Sequence, residues 1–402
     1  MGKIITNRSK CLILVVVLLN LFAFQLLIQP VSAATTYRLN WSYSTGEAIY
    51  SVAVSADGQY VVAGSDDYKL YLFQKTSNTT LWTYSTESWV DSVAISADGQ
   101  YIVAGSYDGK VYFFQRTSNI PLWSYLTGNT VISVAISADG RYIVAGSWDH
   151  TVYLFQKTSN ATLWSYSTDN SIYSVAISAD GQYIAAGSLD NKVYFFQNDS
   201  NTPLWSYSTS ALVHSVAISA NGQYIAAGSQ DFKVYLFQKT SNTTLWSYST
   251  NDAVVSVAIS TDGQYIVAGS QDYKVYFFQN TSVIPLWSYS TDNIIDGVAI
   301  SADGQYIAAT GGDSYVHFFQ RTSNTTLWSY LIDSAGLSVA ISANGQYVAA
   351  GSSYGEAYFF SRYSTGGGPV PFVNPGLILI ALIAILALFY NTKRQKLNFK
   401  SL

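Results

Sequence analysis

Cysteine is nearly missing: the 402 residues hold one, Cys11, inside the first apolar run. Once that run is removed no thiol remains, so disulfides and thiol chemistry are excluded and stability must come from packing. Charge is scarce at 11 % of residues, and the polar surface must be built from Ser, Thr, Asn, Gln and Tyr. The three histidines, His150, His214 and His317, have no spacing that suits a metal. There is no glycine-rich phosphate loop opening a helix, no nucleophile elbow and no carboxylate pair outside a repeating pattern. Helical periodicity is also missing from the central region. All 24 Asp and Glu lie between two apolar ends with 13 of the 20 Lys and Arg, leaving 13 − 24 = −11. That charge argues against nucleic acid as a partner. The expectation is a protein that is not an enzyme and needs no cofactor or metal.

The ends read as addresses. Lys3, Arg8 and Lys10 precede "CLILVVVLLNLFAFQLLI", and small residues stand at Val31 and Ala33. This is the pattern of a secretory signal peptide over 1–33, with an uncleaved anchor as the alternative. At the other end Pro371–Tyr390 gives twenty mostly apolar residues, enough for one transmembrane helix. Lys393, Arg394, Lys396 and Lys400 follow, which marks 391–402 as a cytoplasmic tail. The pattern also resembles the sorting tails of prokaryotic surface proteins, although "NPG" matches their motifs poorly. The expected layout is a folded domain over 34–363 outside the cytoplasm, a linker over 364–370 and a single-pass membrane anchor.

What is there is repetition. Trp41, Trp82, Trp123, Trp164, Trp205, Trp246, Trp287 and Trp328 are spaced by 41 residues throughout. A fixed period near forty marks a propeller or solenoid. Within one unit "LWSYS", "SVAIS", "QYIAAGS" and "KVYLFQ" read as four short strands, rich in β-branched and aromatic residues. "ADG" or "ANG" between the second and third reads as a tight hairpin whose two central residues both take positive φ. Successive apolar positions suit sheets covered on both faces by their neighbours. The fold class is all-β: an eight-bladed β-propeller of four-stranded blades, closed by pairing the first strand (39–43) with the last three.

The phrase "SVAISADGQYIAAGSxDxKVYLFQ" resembles WD40 repeats over about residues 38 to 361. Two departures stand out: the His before the family's first strand is absent, and its Trp-Asp is Phe155-Gln156 here. The family's His–Ser–Asp–Trp network therefore cannot form, although the turn Asp survives at Asp67, Asp108, Asp149, Asp190, Asp231, Asp272 and Asp313. "LWSYST" is similar to the docking Trp of quinoprotein-type propeller repeats. A quinoprotein-type enzyme would need a calcium site of Glu and Asn with a catalytic Asp, and no such set can be placed.

If the strands are lettered a to d from the axis outward, the resemblance implies that d–a and b–c loops share one face. The chain leaves from the other face, which is expected to look towards the membrane. Variation between copies collects in the d–a and b–c loops. Tyr50, Tyr173 and His214 precede strand a; Tyr68, His150, Phe232 and Tyr273 follow the turn Asp; Tyr107 and Trp148 precede it. Trp89 and Trp148 are the two tryptophans outside the 41-residue register, and both fall on this face. Large aromatics in variable loops point to binding anchors for a protein or glycan, where simple drift would favour small polar residues. The other reading is a structural envelope or surface-layer component that associates with itself or with neighbouring envelope proteins. Sequons begin at Asn40, Asn78, Asn160, Asn198, Asn242, Asn280 and Asn324. In an exported protein they are N-glycosylation acceptors, or else Asn, Ser and Thr serving as turn residues.

Overall fold

The β-rich runs and their Asp-Gly punctuation become 32 strands in eight four-stranded antiparallel sheets, in a computed structural model that describes residues 35–364. The expected leader, membrane span and basic tail lie outside these residues, as does the linker beyond Ser364. Among the described residues no helix is long and apolar enough to cross a membrane. Blade 1 comprises strands a to d at Ile49–Val54, Tyr60–Ser65, Lys69–Gln74 and Thr80–Ser85. Blade 8 pairs Thr35–Ser44 with Glu356–Ser364, followed by Tyr347–Ser352 and Gly336–Ile341, so the first strand closes the last blade as read.

Burial follows the residue pattern. Strand b of blade 1 is buried at every position but Tyr60, and strand c at every position but its two ends. Strands apolar at successive positions are covered from both sides. Strand d alternates instead, as in Thr244–Ser249, with Leu and Ser outward and Trp and Tyr turned towards the core.

The a–b hairpin departs from expectation. Gly58 and its counterparts take positive φ, near +70°, but Asp57 does not. Gly58 N donates to Ser55 O at 2.8 Å, while Asp57 Oδ1 accepts from Ser55 Oγ and from Gln59 N. The Asp acts as a side-chain acceptor that ties the turn, and only the glycine supplies the left-handed step. A Cβ on Gly58 would also stand 2.0 Å from the ring of Tyr347 in the preceding blade of the ring, blade 8. Glycine is thus required twice over.

These turns hold the ring together. Ala56 N donates to Ala97 O, Ala97 N to Ala138 O, and so on through Ala179, Ala220, Thr261 and Ala302 to Ala343 N, which donates to Ala56 O, all at 2.9–3.1 Å. A second circle lies on strand a, where Ser51 Oγ accepts from Val93 N and six further Ser–Val pairs repeat the bond at 3.0–3.1 Å. It breaks at Gly297, which has no hydroxyl for Val339 N. At the outer edge seven in-register tryptophans, from Trp41 to Trp287, donate Nε1 to a carbonyl of the next blade at 2.6–3.1 Å.

One seam carries a size exchange. Gly64 on strand b packs against Val90 of the next blade, and a Cβ there would lie 2.7 Å from Val90 Cγ1. The same glycine–valine or glycine–isoleucine contact recurs at six other seams. Between blades 7 and 8 the partners are Thr310 and Gly336, large and small reversed, and a Cβ on Gly336 would fall 1.8 Å from Thr310 Oγ1. Overpacking of a tight contact costs about 1–3 kcal/mol. We expect Gly336→Val to lower stability by about that amount or more, and Thr310→Gly with Gly336→Val to recover most of the loss, as measured by urea unfolding. Additive losses in the double variant would show that the two residues are not coupled.

Candidate functional site: the d–a and b–c loop face

Every blade builds this face with the same backbone and different side chains. In all eight copies strand a carries a β-bulge, and the bulged residue is the variable one: Tyr50, Asp91, Ile132, Tyr173, His214, Val255, Asp296 and Leu337. A bulge leaves its residue out of the ladder and re-aims its side chain. Beside it stands the first residue after strand b: Asp66, Tyr107, Trp148, Leu189, Gln230, Gln271, Gly312 or Ser353. Each of these donates its amide to the preceding d–a loop at 2.8–3.0 Å, as Trp148 N does to Thr130 O. The backbone is pinned while the side chain is free to differ. The result is an inner lip of eight residue pairs around the ring axis.

The turn Asp supports this lip from below. Asp67 Oδ1 accepts from Lys69 N, and its Oδ2 accepts the Tyr71 hydroxyl. Six blades repeat the Tyr–Asp bond at 2.5–2.7 Å. Burial first, and the Asp second, push these phenols well above their ordinary pKa. The tyrosine takes over part of the work of the missing WD40-type network. Blade 7 substitutes His317, whose Nε2 lies 2.7 Å from Asp313 Oδ2 and whose Nδ1 lies 3.0 Å from Ser329 Oγ. This His–Asp–Ser chain borders a cavity of about 290 Å³. It stands at the position where the other blades carry Tyr, and the sequence reading did not single it out.

The structure divides the ten expected site residues into groups. Tyr50, Trp89, Tyr107 and Trp148 form one aromatic arc over blades 1 to 3, with ring centroids 6.3, 4.9 and 5.9 Å apart in that order. Trp89 is 37 % and Tyr107 42 % exposed. Tyr173 and His214 form a second, smaller contact at 5.5 Å, and the His214 ring lies 2.6 Å from Gln230 Oε1. Tyr68, His150, Phe232 and Tyr273 stand apart from the arc, on the turn between strands b and c. All four hold φ of +68° to +71°, where Gly109 and Gly355 stand in other copies. A left-handed non-glycine residue costs about 1–2 kcal/mol.

Of the lip residues outside the expected set, two acids stand beside the aromatic arc. Asp66 and Asp91 occupy slots that are aromatic in other copies. Asp66 Oδ1, Asp91 Oδ2 and Trp148 Nε1 are buried without a protein partner, and the Tyr50 hydroxyl makes a long 3.4 Å bond to Asp66 Oδ2. Burial, then the charge of Asp66, pushes the Asp91 carboxyl up to about 7. Burial, then Asp313, pushes Asp296 up to about 6.

Sequon residues sit on the opposite face and carry structural bonds. Asn78, Asn160 and Asn324 donate Nδ2 to strand d of the preceding blade, at 3.2–3.5 Å. Asn119 and Asn201, which begin no sequon, make the same bond. Asn198 and Asn280 stand where six other blades place Lys or Arg over a tyrosine ring, 4.1–5.0 Å from its centre. Asn40 Oδ1 accepts from Ser361 Oγ, and Asn242 is exposed.

A family model described as outer membrane protein assembly factor BamB matches residues 148–364, just over half of the chain. A model described as WD domain, G-beta repeat matches 38–74, 78–115 and 121–156. The two meet in blade 3, in line with a unit that combines a turn Asp with a docking Trp. No curated protein matches the chain.

A pH dependence follows from Asp91. Between about pH 4 and about pH 7 the folded state keeps a proton that the unfolded chain has released, so stability falls as pH rises through that window. Asp91→Asn removes the effect. The difference in melting temperature in favour of the variant should grow from pH 4 to pH 7 and level off above it. A difference independent of pH would show that Asp91 is not held in a desolvated site.

Proposed function

The chain belongs to the family described as outer membrane protein assembly factor BamB, and on that footing we propose that it is a non-enzymatic binding scaffold using its d–a and b–c loop face. The observation that carries this reading is the ring of eight variable pairs on an otherwise copied framework. Scaffold positions repeat because each must fit the next blade, and variation collects on the side chains of this face, with few exceptions at the seams such as Thr310 and Gly336. Among those side chains, the arc from Tyr50 to Trp148 places rigid aromatics side by side, the composition of an interface hot spot. A protein or a glycan is the ligand class such a surface suits. We place the domain outside the cytoplasm on a single-pass anchor. The last described strand ends at Ser364 on the opposite face, which supports a binding face turned away from the membrane.

The docking Trp also raises the reading of a quinone enzyme. Its calcium site would need Glu and Asn ligands with a catalytic Asp, a set that the sequence does not mark out. No reaction step is therefore assigned through such a group.

A second reading, an envelope-assembly component packed against its own kind, draws on a different surface. Leu81, Leu122, Leu163, Leu204, Leu245 and Leu286 on and beside strand d are each 47–51 % exposed around the circumference. The family's description as an assembly factor agrees with either reading.

A photoreactive phenylalanine analogue at position 89, in the full chain in its native membrane, tests the proposal. We expect crosslinks to a distinct molecule from position 89 and none from position 100 on the opposite face. Crosslinks from position 100 alone would reverse the face, and crosslinks confined to a probe at Leu163 and to other copies of the chain would favour lateral packing.

A further inference from the structure

The two faces of the ring differ sharply in charge. The d–a and b–c loops, with the strand ends beside them, hold 17 of the 24 carboxylates and 5 of the 13 basic residues between positions 35 and 364, a formal −12. The a–b and c–d side holds the other 7 and 8, a formal +1. Three of the five lysines on the acidic face are tied to carboxylates there: Lys69 to Asp67, Lys110 to Glu87 and Lys192 to Asp169. All five open strand c, outside the inner lip, whose eight pairs include Asp66, Asp91 and Asp296 and no cation.

The lip over blades 1 to 3 adds local chemistry to this field. Asp66 Oδ1 and Asp91 Oδ2 are buried acceptors that no protein donor reaches. The aromatic arc of Tyr50, Trp89, Tyr107 and Trp148 spans the same blades. An aromatic face attracts a cation through its ring quadrupole, and a buried carboxylate without a donor gains most from a charged one. A neutral sugar would stack on the rings but leave the charge of the face unmatched. An anionic polymer or anionic lipid would be repelled by it. We infer that this lip is a receptor for a lysine or arginine side chain presented by a basic segment of a protein partner.

The inference rests on the proposed use of this face and narrows it from protein or glycan to a basic protein segment. The long-range field would steer the segment in, and the aromatic and carboxylate groups would hold one side chain. Removing the two charges does not threaten the fold, since Asp91→Asn relieves a buried carboxylate.

The test uses the full chain in a neutral detergent and a short peptide of Arg-Gly-Ser repeats, with its citrulline counterpart and maltohexaose as controls. We expect the arginine peptide to bind about tenfold or more tightly than the citrulline peptide, and to weaken steeply between about 50 mM and about 300 mM salt. Asp66→Asn with Asp91→Asn should weaken it about tenfold, whereas Asp199→Asn on the opposite face should leave it unchanged. Equal binding of the two peptides, or equal loss in both variants, overturns the inference. Maltohexaose binding that depends on Trp148, without peptide binding, also overturns it while leaving the face as the binding site. Failure of crosslinking from position 89 would instead remove the face itself.

Discussion

Eight backbone hydrogen bonds between neighbouring a–b turns, the last from Ala343 N to Ala56 O, make this chain a closed circle. The rest of the structure depends on that closure. A blade of four strands has two apolar faces and cannot bury them alone, so each blade is stable only between two others. In an open array the end blades would need polar caps, whereas here the first strand completes the last sheet and no blade is terminal. The geometry must then repeat closely at every seam, which explains a 41-residue unit without insertions and the near identity of one face. Deviation is admitted where it is matched, as in the exchanged sizes of Thr310 and Gly336.

Closure also frees the opposite face. The d–a and b–c loops are fixed by bonds from backbone, Thr hydroxyls and the turn Asp, so a variable side chain there can change without disturbing a seam. The bulge on strand a turns one such side chain out of each ladder. Selection for binding can act on eight pairs independently. The left-handed turn residues Tyr68, His150, Phe232 and Tyr273 show that stability is not the criterion on this surface, because glycine would sit there without strain. The buried, unpaired carboxylate of Asp91 makes the same point through desolvation.

The architecture was legible in the sequence because period, strand chemistry and the unmatched first strand all point to one answer. The Asp-Gly turns were placed correctly but given the wrong geometry. The two-residue hairpin that would put positive φ on both residues is not formed, since Asp57 is needed as an acceptor for Ser55 and Gln59. The variable face was legible as a list of loops, not as a site. That Trp89 meets Tyr107, and Tyr107 meets Trp148, depends on how a bulge and a loop turn side chains across a blade boundary, which a repeat alignment does not encode. Asp66 and Asp91 were passed over because an isolated acid in a loop is usually solvated. Their meaning lies in burial and in neighbouring charge, that of Glu47 and Asp67 on Asp66 and that of Asp66 on Asp91. The tyrosine that replaces the WD40-type network, and the histidine that replaces it in blade 7, required the hydrogen bonds themselves.

Native-state hydrogen exchange at the a–b turns tests the closed ring most directly. The amides of Ala56, Ala97, Ala138, Ala179, Ala220, Thr261, Ala302 and Ala343 each donate to the next blade. If closure governs stability, all eight should exchange together, at the free energy of global unfolding. Fast exchange at Ala343, with the other seven still protected, would mean that the ring opens at its seam and that closure is not the constraint on which the fold rests.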